Sequence, residues 1–177
     1  AGITGYVSDH TQGPACALAT APALLYRNYL LPNQGGRPSS SPAPRGQTRD
    51  RQLNTCVDME EMLFRETGEK FWEMKNGYLR SDADRLARLA RVLSCEKIRE
   101  EVKAQLRIGL TLDAQVVSKG AGQAQRVSQA WCSAVPISSP FTSQEDWEPL
   151  ARLVLEASYE ATLLAGVINA HRTGNCR

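Results

Sequence analysis

One stretch near the end of the chain restricts the fold more than any other. Trp147, Leu150, Val154, Ala157, Ala161, Leu164 and Ile168 recur at helical spacing and predict a long helix over 146–172. Thr142 and Glu145 stand where a capping box would open it, and His171 and Arg172 precede Gly174 where it would close. The apolar face of this helix is wide, and a wide face is expected against a sheet. The chain therefore has to supply strands as well as helices.

Strand patterns are present. Residues 108–117 and 126–137 alternate in part between apolar and polar, with the turn-forming run 118–123 between them, which predicts a β-hairpin. Thr4, Tyr6 and Val7 suit another strand at the start of the chain. Helical patterns fill the middle. Leu53, Val57, Met59, Met62 and Leu63 form one short amphipathic stripe. Phe71, Trp72 and Met74 make an aromatic knot that ends at Asn76-Gly77, a stop signal. Ser81, Asp82 and Asp84 open a helix whose Leu86, Leu89, Ala90 and Leu93 share a face, and Ser94 restarts it with Ile98, Val102 and Leu106. Residues 32–50 are rich in Pro, Gly and Ser, cannot build a core, and are expected to be a flexible loop. Together these patterns predict one α/β domain over residues 1–177, with a mixed sheet and helices on both faces. The chain stops just after its strongest helix, where a layered α/β fold would normally add a strand, so it is expected to be a fragment of a longer protein.

Charge and cysteine content narrow the partners. A net charge of +2 is too weak to imply nucleic acid, and no unbroken apolar run of 18 residues implies a membrane span. The distribution says more than the total. Residues 1–54 carry Arg27, Arg37, Arg45, Arg49 and Arg51 against Asp9 and Asp50, a local excess that fits an anionic small ligand as well as an anionic polymer. No secretory leader is visible, and the five cysteines (16, 56, 95, 132 and 176) form no CxxC pair. With two histidines in the chain, zinc is not expected, nor any other metal or cofactor. An odd number of thiols in such a chain is expected to stay reduced in the cytoplasm.

The stretch with the clearest chemistry is Asp9 to Cys16. Strand formers precede it, Asp9 and Thr11 can cap a helix, and Pro14 fits a first helical turn. A strand feeding a helix N-terminus presents free backbone N–H groups at the end of a sheet, a place that suits a phosphate. The same residues also read as an ordinary capped turn. Neither a GxGxxG fingerprint nor a P-loop is present. Other candidates each have a structural alternative. Cys16, with His10 nearby in sequence, could be reactive or simply packed, and Cys132 with Ser133, near the end of a predicted strand, could line a cleft or pack in the core. Glu156 and Glu160 could face a site or edge a solvated helix. Arg27 and Asn28, between Tyr26 and Tyr29, could clamp a base or phosphate, or only cluster at a helix end. Ser94-Cys95-Glu96-Lys97 matches S-x-x-K without its companion motifs and is read as chance.

A series of motifs then adds a resemblance. It begins with Asp9-His10-Thr11-Gln12-Gly13-Pro14-Ala15-Cys16-Ala17, Tyr26-Arg27-Asn28-Tyr29, Gly46-Gln47-Thr48 and Met74-Lys75-Asn76-Gly77-Tyr78. It continues with Trp131-Cys132-Ser133-Ala134-Val135-Pro136, Trp147-Glu148-Pro149-Leu150-Ala151-Arg152 and Ala157-Ser158-Tyr159-Glu160-Ala161-Thr162. In this order the series resembles an uncharacterised family of macrodomain-like proteins, over nearly the whole chain. The resemblance implies a three-layer α/β/α fold that binds ADP-ribose and, in some members, hydrolyses ADP-ribosyl bonds. It implies that Asp9, Thr11, Gln12, Gly13, Pro14, Ala15 and Cys16 form the loop that holds the diphosphate, with Asp9 toward the ribose. Family members also carry an Asn-containing strand before the position of residue 1, and a strand with a second glycine-rich loop after the final helix. Two alternatives stand beside this expectation: a non-catalytic module that keeps the fold and binds a protein partner, and a cysteine-dependent hydrolase acting through Cys16 or Cys132.

Overall fold

The structure is a computed structural model, and it describes residues 29–30, 45–47, 52–75, 78–115, 126–132, 134–137 and 142–174. These residues form four helices and two separate two-stranded antiparallel sheets, which is α/β in class. The strand expected at 3–7 lies outside the described residues, as does the loop expected at 32–50 apart from Arg45–Gln47.

Helix α1 spans Val57–Thr67 and buries Met59, Met62 and Leu63, the stripe read from the sequence. It ends at Gly68, whose φ of 73° is left-handed and whose N–H reaches the Phe64 carbonyl at 2.8 Å. Glycine adopts that conformation without the Cβ clash other residues meet. Phe71 and Trp72 then enter the core, 2% and 1% exposed. The next residues depart from the sequence reading. Strands β1 (Glu73–Lys75) and β2 (Tyr78–Arg80) pair antiparallel, Met74 opposite Leu79, on either side of Asn76-Gly77. Asn-Gly between two short runs is a hairpin signal, and here it outweighs its reading as a helix stop.

Helix α2 (Ala83–Leu93) begins where the local chemistry requires. The Asp82 carboxylate accepts the Arg85 N–H at 2.8 Å, and Leu86, Leu89 and Leu93 face inward. Helix α3 (Glu96–Lys103) starts at Cys95, one residue after the expected restart, and sinks Val102 fully. Its exit is fastened to α1: the Arg107 N–H reaches the Thr55 carbonyl at 3.0 Å, and the Arg107 guanidinium pairs with Asp58.

Strands β3 (Gly109–Gln115) and β4 (Arg126–Trp131) form the expected hairpin, with Gly109 opposite Trp131 and Gln115 opposite Arg126. Its turn, 118–123, lies outside the described residues. The register shifts between Thr111 and Ala114, and within that bulge Asp113 has φ of 55°. Strand β4 ends at Trp131, well short of 137, with Pro136 in the stretch that follows.

Helix α4 (Gln144–Thr173) is the long helix of the sequence reading. Its capping box is one residue later than expected, with Ser143 and Asp146 exchanging bonds at 3.2 and 2.8 Å. Thr142 holds a side chain instead of the backbone, its hydroxyl accepting the Trp147 indole N–H at 2.7 Å. The N-terminal half of α4 buries Trp147, Leu150, Leu153, Val154 and Ala157 against a core shared with Trp72, Leu86, Leu89 and Val102. That half therefore packs among helices, and the sheet expected to cover it is met further along, where β4 touches the helix. Beyond Ala157 the helix exposes Tyr159, Leu163, Leu164, Val167 and Ile168.

Candidate functional site

Asp9, Thr11, Gln12, Gly13, Pro14, Ala15 and Cys16 all lie outside the described residues, as do His10, Arg27, Asn28 and Ser133. Of the candidates read from the sequence, the structure places Cys132, Glu156, Glu160 and the Ser94–Lys97 run.

Cys132 opens onto a cleft. β4 and the chain after it run antiparallel to α4. Ser128 Oγ lies 3.1 Å from Asn169 Oδ1, and Cys132 Sγ lies 3.2 Å from Thr162 Oγ1. Further along, Val135 and Ile137 stand beside Ala151 and Leu155. The space between has a volume of about 460 Å³, within the range that small ligands occupy. Its walls are apolar apart from Cys132, Ser158, Thr162 and the Tyr159 hydroxyl, and among the described residues no charged side chain lines it. Thr162 Oγ1 donates to the Ser158 carbonyl at 2.7 Å, and the Cys132 thiol lies within hydrogen-bonding reach of both that carbonyl and the Thr162 hydroxyl. The hydrogen-bond partners of this thiol among the described residues are thus a hydroxyl and the Ser158 carbonyl, neither of which is a base.

Glu156 and Glu160 do not face the cleft. Glu156 pairs with Arg99, and Glu160 lies 3.3 Å from Lys103 Nζ, so both fasten α4 to α3. Lys103 also bonds Glu100, and with Arg99 it holds the Glu100 carboxyl below its usual value. In the S-x-x-K run, Ser94 Oγ donates to the Arg91 carbonyl at 2.7 Å while Lys97 reaches toward Glu101 at 4.0 Å. Serine and lysine have separate partners there, in keeping with a chance match.

A second polar cluster has no counterpart among the sequence candidates. Arg172, in the last turn of α4, donates to both Asp113 oxygens at 2.8 Å and to Asn169 Oδ1 at 2.9 Å. The Arg172 bonds pull the Asp113 carboxyl below its ordinary value. The partners are 59 residues apart, beyond the reach of any local pattern. The one local signal is an Asp inside a strand-like alternation, a residue type that strands disfavour.

Among the described residues no three His, Cys, Asp or Glu side chains stand together as a metal set, and Cys95 and Cys132 are free thiols. Helix α4 contains an 18-residue window of mean hydropathy 1.2, long and apolar enough to cross a membrane by length and composition, with 22% of it buried. A search for an unbroken apolar run passes over this helix. Glu156 and Glu160, which interrupt it, are the residues that pair with α3. No family model matches the chain, and no curated protein or solved structure matches it.

Proposed function

We propose that this protein binds ADP-ribose or a related NAD-derived nucleotide, in a macrodomain-like three-layer α/β/α arrangement. The observation that carries the reading is the run Asp9–Cys16, first in an ordered series of motifs that extends to Thr162. The α/β character of the described residues is consistent with such a fold. Backbone N–H groups in residues 12–16, those of Gln12, Gly13, Ala15 and Cys16, hold the diphosphate, and Asp9 contacts the ribose. Gly13 keeps the approach free of a side chain, and the helix dipole favours the negative charge. The arginine excess of residues 1–54 raises the local concentration of an anion. Hydrolysis of an ADP-ribosyl bond is the finer form of the proposal; it needs a base to activate water, and no residue is assigned to that role. The reading places the protein in the cytoplasm with its thiols reduced.

Titration calorimetry with ADP-ribose tests it. The parent protein gives a saturable heat, Gly13→Val abolishes it, and Asp9→Ala weakens it by on the order of 1 kcal/mol, one lost hydrogen bond. No heat at millimolar ligand from a protein shown to be folded would overturn the reading.

A further inference from the structure

We draw no further inference here: the strongest candidate, the apolar cleft between Cys132 and the outer face of α4, carries nothing, because long stretches of the chain lie outside the described residues and nothing in the structure shows what covers that face.

Discussion

Asp113 shows how one residue ties two elements together. It is the one non-glycine residue with positive φ among the described residues, and its carboxylate meets the Arg172 guanidinium at two 2.8 Å contacts. Aspartate tolerates this backbone region better than most residues, so the bulge and the ion pair fit one side chain. Because Arg172 holds its pKa down in the folded state, Asp113 contributes its full stabilisation above the ordinary carboxylate range, about pH 4. That contribution is lost as the pH falls through the lowered folded value. The protection of the Leu112, Ala114 and Val127 amides against exchange, measured relative to the intrinsic rate at each pH, is therefore expected to fall in acid. Asp113→Asn, which keeps the backbone preference and removes the charge, should flatten that pH dependence. An unchanged acid response in Asp113→Asn would assign it elsewhere. The sequence could not show this pair, because nothing local marks a partner 59 residues away. Asp82 was legible for the opposite reason: its partner, the Arg85 N–H, lies three residues on.

Helix α4 separates what periodicity reveals from what it does not. The stripe from Trp147 to Ile168 locates the helix within a few residues of Gln144–Thr173, because helical spacing is a local property. It does not reveal what the stripe packs against. Trp147 and Leu150 meet other helices, while Leu164 and Ile168 on the same stripe are exposed. The cap falls one residue later than the pattern suggests because Thr142 and Ser143 are chemically alike, and only the position of the Trp147 indole separates them. Substitutions should separate them too. Ser143→Ala removes a cap worth about 1 kcal/mol. Thr142→Val leaves the N–H of a tryptophan only 1% exposed without its acceptor, at a cost of about 1–3 kcal/mol. Chemical denaturation of the two variants checks the pair. A neutral Thr142→Val would contradict the assignment of that hydroxyl. Asn76-Gly77 shows the reverse failure, in which a hairpin signal is present and passes for punctuation.

On the scale of the molecule, the described residues divide into a packed body and an open flank. The body holds Trp72, Trp147, Met59, Leu63 and the leucines of α2; the flank is the outer half of α4 with the β3–β4 hairpin. Truncations along one helix should measure that division. Leu153→Ala, at a position with no exposure, is expected to cost about 2–5 kcal/mol. Leu163→Ala, at a position 72% exposed, is expected to cost about 0.5 kcal/mol or less. Equal costs in urea unfolding would show that something in the folded protein covers Leu163. The α/β class was legible because two periodicities alternate along the chain. The cleft beside Cys132 was legible only on one side, as a reading of Cys132 near a strand end; its other wall was not, because it comes from a helix about thirty residues later in the chain, Thr162 against Cys132.

Everything proposed about function turns on whether Asp9–Cys16 receives an ADP-ribose-like nucleotide. Backbone-resolved nuclear magnetic resonance of the isotope-labelled protein, titrated with ADP-ribose, asks this of the residues themselves. Saturable shifts are expected, centred on the amides of Gln12, Gly13, Ala15 and Cys16, where phosphate oxygens would accept their hydrogen bonds, with the amides of the α1–α2 body unmoved. A folded protein whose spectrum does not change at millimolar ADP-ribose, or whose shifts leave residues 11–16 untouched, would refute the nucleotide site.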